Sequence, residues 1–276
     1  MIANDNTTFS YNYSRSDAER WAEFSGDHNP IHFDLKHAQL LGQQQVTVHG
    51  MRAMLDLKYQ LSRALLPLSP TADFLRFNAR LRQPVLCDSA YQLQLSLANA
   101  QVSANLINSG SGENCFSSKL RSTSPLTLTK CGSWASLGGS EVHQFSQQFP
   151  GDATSAAECW GFFDALLFKL LIAAPQTLVA AKQILSVIQA DTLIDIFRHV
   201  PVIQTHHDVQ FSADFMSINN PHLFVRSALH YAIEPTLIVG NQYDGWVLRS
   251  AIQARSDAGP LITTAVTLKT WPLAAH

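Results

Sequence analysis

Residues 7–13 of this 276-residue chain alternate between apolar and polar side chains, the pattern of a short strand. Ser16 and Glu19 follow at capping-box spacing, and Ala18, Trp21 and Ala22 supply the apolar face of a short helix. Gly26 stands where a left-handed C-terminal cap is expected. Asn29-Pro30 turns the chain, because the residue before a proline is pushed out of the helical region. Asp34 is placed to cap a second short helix over 35–41, closed by Gly42. Residues 43–48 read as extended. Met51, Met54, Leu55, Leu61 and Leu65 then lie near helical spacing, which predicts a long helix over 50–66 ended by Pro67.

Beyond Pro70 the period changes to two. Strands are expected over 74–83, 90–98, 102–107 and 115–121, with the cluster NSGSGEN (108–114) as a turn. Residues 122–153 lose regular periodicity and are rich in Ser, Thr, Gly and Gln. The order then repeats: Ser155 and Glu158 at capping-box spacing, an apolar helix through Trp160, Phe163, Leu167 and Leu171 to Pro175, and a helical stretch over 178–198. Strands are expected over 206–216, 223–233, 245–254 and 261–271. The expected class is therefore a duplicated α+β unit, with an N-terminal domain over 1–125, a linker over 126–153 and a C-terminal domain over 154–276.

Composition narrows the function classes. Hydrophobic residues make up 46% and charged residues 14%, enough apolar material for two cores and unlike a disordered chain. A formal charge of -2 gives no electrostatic reason to expect nucleic acid. The low charge density leaves room for a partner subunit, so a homodimer is among the expectations. The N-terminus lacks a basic segment followed by an apolar core, and the apolar run 159–174 is broken by Asp164 and Lys169 and too short to span a bilayer. No membrane association is expected. Cys87, Cys115, Cys131 and Cys159 form no CxxC pair, so the expected setting is a reduced cytoplasm and Cys159 is expected as a buried structural thiol.

The chemistry concentrates in residues 25–51, which hold Asp27, His28, His32 and His49. His28 and His32 imitate the spacing of a helical zinc pair, but Pro30 between them denies that helix, and no metal is expected. A carboxylate and an imidazole five positions apart, bent by Asn-Pro, can instead converge on a water. One group takes a proton from it while the other returns one, as addition of water to an activated double bond requires. Such a reaction also needs a donor for the negative charge that builds on a carbonyl oxygen. Gly50 is the candidate, since the first N–H groups of a helix have no intrahelical acceptor and glycine has no side chain to block approach.

The ordered set Phe24, Gly26, Asp27, Asn29, Pro30, His32, Asp34, Ala38, Gly42, His49, Gly50 and Met51 resembles the motif of the MaoC-like dehydratases and R-specific enoyl-CoA hydratases. The resemblance covers roughly residues 10–66. It implies the hot-dog fold, a long helix wrapped by an antiparallel sheet, here as a tandem or double hot-dog. It further implies catalysis by Asp27, His32 and the Gly50 amide, with Asn29, Pro30, His49 and Met51 as the substrate-binding residues. The implied reaction is reversible hydration of a trans-2-enoyl thioester to the (R)-3-hydroxyacyl thioester. The implied partner is an acyl-CoA or acyl carrier protein thioester, with no cofactor.

Two departures qualify the pattern. Gln43, Gln44 and Gln45 are polar where such proteins more often carry apolar residues, which bears on the pocket mouth. The second half has no such motif; Asn219-Asn220-Pro221-His222 is expected as a turn. One site per chain follows, with the second half as cover. Trp160, Phe162, Phe163 and Phe168 are expected as core, an acyl tunnel being the alternative. Arg76, Arg80 and Arg82 share a strand face, either to meet carrier phosphates or as a solvated edge. The alternatives to a hydratase are a non-catalytic thioester-binding or scaffolding protein and a thioesterase.

Overall fold

In the computed structural model of the chain the described residues are 7–68, 72–98, 101–130, 133–179, 190–217, 220–241 and 243–270. The first half runs β1 (Thr7–Asn12), α1 (Arg15–Ser25), α2 (Leu35–Leu40), β2 (Thr47–Val48), α3 (Gly50–Leu65), β3 (Phe74–Leu81), β4 (Val85–Leu86), β5 (Ala90–Ala98), β6 (Gln101–Asn108) and β7 (Asn114–Ser122). The second runs β8 (Ala135–Leu137), α4 (Gly139–Gln148), α5 (Cys159–Ala173), α6 (Leu193–His199), β9 (Val202–Ser212), α7 (Pro221–Phe224), β10 (Leu229–Asn241), β11 (Gly245–Ser256) and β12 (Leu261–Thr270).

Ten strands form one antiparallel sheet in the order β1-β5-β6-β7-β3-β9-β12-β11-β10-β8. Each half contributes five strands in the same internal order, so the chain is a duplicated unit even though the halves share little sequence. The halves join edge to edge through β3 and β9, paired from Phe74↔Ser212 to Arg80↔His206. That junction removes one edge strand from each half, which would otherwise present unpaired backbone groups.

α3 buries Met51, Met54, Leu61 and Leu65 of the expected stripe together with Leu57, while Leu55 is only partly buried. α5 is apolar on nearly every side and is buried accordingly, from Cys159 to Phe168. The two helices lie side by side against the sheet. Trp160 Nε1 donates to Ser62 Oγ at 2.7 Å, and the buried Lys58 ammonium on α3 pairs with the buried Asp164 carboxylate on α5. His207 and Thr264, from β9 and β12, also donate to Asp164. A charge taken out of water is tolerated only with such partners, and these come from both halves.

Several expectations are corrected. Residues 126–153, expected as an irregular linker, contain β8, which pairs with β10, and α4; these match β1 and α1 of the first half. Three residues of strand and a polar helix leave too little periodicity to read. The first capping pair is Ser14 and Asp17 rather than Ser16 and Glu19, with the Asp17 carboxylate accepting the Ser14 amide at 2.9 Å. Ser155 and Glu158 form no capping box, because Glu158 reaches back to the Asp152 amide at 3.0 Å. Of residues 43–48 only Thr47–Val48 is strand. The helix expected over 178–198 lies partly outside the described residues and is seen as Leu193–His199. β9 starts four residues before the expected strand over 206–216; it ends four residues early, and β10 starts six residues after the start expected at 223, because 213–216 and 221–224 form short helical turns. Pro221–Phe224 is one of those turns; Asn219, Cys131, Pro70 and Trp271 lie outside the described residues. No helix among the described residues is long and apolar enough to cross a membrane.

Candidate active site

α1 ends at Gly26, whose φ of 82° makes the left-handed cap that the sequence predicts. Lys169 of α5 donates to the Phe24 carbonyl at 2.6 Å, so the second half holds this helix end as well. The next residue is Asp27. The Asn29 amide donates to Asp27 Oδ1 at 3.2 Å, and the Ile31 amide donates to Asn29 Oδ1 at 3.2 Å. These two side-chain turns, followed by a 3-10 turn over Pro30–His32, bring His32 back beside Asp27.

His32 is held from its far side. Its Nδ1 lies 2.9 Å from both the carbonyl oxygen and the hydroxyl of Thr47; the hydroxyl can give or accept but the carbonyl only accepts, so Nδ1 carries the hydrogen. The neutral ring therefore presents a bare Nε2. His49 is fixed in the opposite sense: Nε2–H donates to the Asp27 carbonyl at 2.9 Å, leaving its buried Nδ1 without a partner among the described residues. The two rings stack with centroids 3.6 Å apart. Donor atoms of Asp27, His32 and His49 all lie within 4.8 Å of one another.

Burial dominates the electrostatics. It lowers both imidazoles to about 3, so both are neutral near pH 7. The same burial raises the Asp27 carboxyl above its ordinary value. A paired arrangement of this kind titrates as a unit.

Asp27, His32 and His49 face a cavity of about 290 Å³ that lies between the halves. Gly50 lines it at the first position of α3. A β-carbon there would come within 2.8 Å of Leu81 Cδ2, so the site accepts only glycine without rearrangement. Asn29 and Met51 also line the cavity, and Gln43 of the polar run stands at it. Pro30 shapes the turn and is not among the lining residues. His28 is exposed.

The second half supplies Phe168, Phe197, Val202, Ile203, Gln204 and Leu268 to the wall. Phe168 is thus a lining residue, while Trp160, Phe162 and Phe163 pack in the core. Arg76 is engaged bidentately by Asp208; Arg80 is exposed and Arg82 stands at the cavity beyond the end of β3. Burial pushes the Cys159 thiol up, as befits a structural cysteine. Sequence reasoning missed Thr47, Gln204 and the Lys58–Asp164–His207 cluster. An aspartate inside the helix 159–173, apolar but for it and Lys169, was the one signal for the cluster.

Residues 4–113 match the family model described as MaoC like domain. No curated protein matches the chain. A solved MaoC-like dehydratase aligns over 96% of this chain and 97% of its own, with TM-score 0.56 and 9% identity. A putative MaoC domain protein dehydratase from Chloroflexus aurantiacus J-10-fl aligns over 98% and 96%, with TM-score 0.52 and 9% identity. The unliganded R-hydratase PhaJ1 from Pseudomonas aeruginosa aligns over 48% of this chain and 94% of its own, with 16% identity and TM-score 0.33. The chain therefore carries a MaoC-like domain over residues 4–113, and its two halves together have the double hot-dog fold.

Proposed function

We propose that the chain hydrates a trans-2-enoyl thioester to the (R)-3-hydroxyacyl thioester and catalyses the reverse dehydration. One observation carries this reading: Asp27, His32 with its bare Nε2, and Gly50 at the first position of α3 all line the same cavity. The thioester carbonyl accepts from Gly50 N–H, where the unpaired helix-start donor stabilises the charge that builds as the double bond is attacked. Water sits between Asp27 and His32. His32 Nε2 takes one of its protons as the oxygen adds to C3. The Asp27 carboxyl, biased by burial toward its protonated form, delivers a proton to C2. Proton return from His32 to Asp27 through the next water resets the pair.

The volume of about 290 Å³ lies at the small end for ligand pockets and favours a short acyl group. The carrier is CoA or an acyl carrier protein, and no cofactor takes part in these steps. The test is direct. Purified protein mixed with trans-2-butenoyl-CoA removes the conjugated-enone absorbance, and chiral analysis of the product finds the (R)-3-hydroxy isomer. Release of free thiol without loss of water would instead indicate a thioesterase, and tight binding without turnover a binding protein.

A further inference from the structure

β9 and β12 pair regularly from Phe211↔Ile262 to His206↔Thr267, and the next partners are Gln204↔Leu268. Thr205 is therefore an extra residue, a β-bulge. In a regular strand residues 204 and 207 would point to opposite faces. The bulge cancels that alternation and turns both inward, a use of bulges that recurs beside binding sites.

The consequence is a fixed amide. His207 Nε2 lies 3.0 and 2.9 Å from the two oxygens of Asp164, which only accept when ionised, so Nε2 carries the hydrogen. The other ring nitrogen, Nδ1, accepts from Gln204 Nε2 at 3.2 Å. Gln204 Nε2 also lies 3.8 Å from Met51 Sδ. Its amide nitrogen thus committed, the side-chain oxygen points the other way, 3.7 Å from where a β-carbon on Gly50 would stand. It has no hydrogen-bond donor among the described residues, although Gln204 lines a largely apolar cavity. A polar oxygen placed so asks for a donor from the ligand.

We propose that Gln204 is the residue by which the second half reads the carrier arm of the substrate. Its side-chain carbonyl accepts the N–H of the first amide beyond the sulfur of a pantetheine thioester. This rests on the hydratase reading above, in which the thioester carbonyl occupies the Gly50 N–H. The reacting carbons must then face Asp27 and His32, and the sulfur with its two methylenes leads the other way. Gln204 shares no hydrogen bond with Asp27 or His32, and its side-chain oxygen stands beside Gly50, where that arm would begin. The amide in question is common to CoA and to the prosthetic group of a carrier protein.

The experiment compares two trans-2-butenoyl thioesters, one of N-acetylcysteamine and one of its ester counterpart, in which oxygen replaces the N–H. Wild type should prefer the amide by about fivefold in kcat/KM, the size of one neutral hydrogen bond, and Gln204→Leu should bring the ratio near one. A general structural fault lowers both substrates equally and leaves the ratio intact. An unchanged ratio in the variant, or no preference in wild type, overturns the proposal. Were wild type to turn over neither, the hydratase reading would fail separately. Binding of unreactive butanoyl-CoA by calorimetry would then decide: about fivefold weaker to Gln204→Leu supports the contact, equal affinity overturns it. With activity present, Gln204→Leu should lower kcat/KM on both the CoA and the carrier-protein thioester, and the wild-type preference between these two identifies the source of the arm.

Discussion

Nδ1 of His32 donates to the Thr47 carbonyl at 2.9 Å, and by that bond the ring, which has a nitrogen within 4.8 Å of an Asp27 carboxylate oxygen, is left with a bare Nε2. The backbone of a two-residue strand thus chooses the tautomer of a side chain 15 residues away. His32→Asn separates the two nitrogens, because an asparagine amide can still reach Thr47 but puts nothing at Nε2. Its melting temperature should stay close to wild type while kcat for hydration falls by about 10²–10⁴. A variant with near-normal kcat would remove His32 from the chemistry.

Gly50 is expected to work through its N–H alone. Proline at the first helical position removes that hydrogen while preserving the helix, and His49, at φ -58° and ψ 134°, already has a backbone suited to precede it. Leu81 must be trimmed to make room. Gly50→Pro combined with Leu81→Ala should therefore show kcat lower by about 10²–10³ than Gly50→Ala combined with Leu81→Ala. Equal rates for the two double variants would show that the amide does not hold the carbonyl.

Much of the first half was legible because its signals are local. Gly26 as a cap, Asp34 as an N-cap and the stripe from Met51 to Leu65 need only neighbours within a turn or two of helix, and each is in place. The Asp27–His32 spacing was legible for the same reason, since the turn that closes it lies between them. What was illegible depends on partners far along the chain. Gln204 and His207 share a face only because of the bulge at Thr205, which pairing with β12 reveals and the strand's own residues do not. Lys169 supports the Asp27 turn across 145 residues, and β8 is a strand only because β10 lies beside it. The second half is accordingly more than a cover.

Stability should fall on the acid side of neutrality. Burial lowers His32 and His49 to about 3, whereas the unfolded chain has histidines near 6.5. Between those values the unfolded state binds more protons, so each ring destabilises the fold as pH drops from about 6.5 toward 3. The Asp27 carboxyl, raised by burial, acts in the opposite direction as pH falls through its folded value toward 3.8. With two rings against one carboxyl, the melting temperature should decline from pH 6.5 to pH 5, and His49→Gln should flatten that slope. A flat wild-type profile would contradict neutral, buried rings.

Asp27 and His32, which hold the water, form with His49 a cluster compact enough to trap a metal ion, since ligand atoms of the three lie within 4.8 Å of one another. In the mechanism proposed here an ion there would occupy the place of the water. Dialysis against a chelator should leave hydration unchanged, and micromolar zinc should inhibit it, reversibly on chelation. Activity lost to the chelator and restored by a metal would replace acid–base catalysis with a metal mechanism.

In the proposed reaction the buried carboxyl of Asp27 moves a proton during hydration. Asp27→Asn keeps the size of the side chain and its acceptor for the Asn29 amide while removing the proton-carrying group. Side by side with wild type on trans-2-butenoyl-CoA, the folded variant should lose at least about 10²-fold of the rate at which the enone absorbance disappears. Hydration by Asp27→Asn at the wild-type rate would contradict the account.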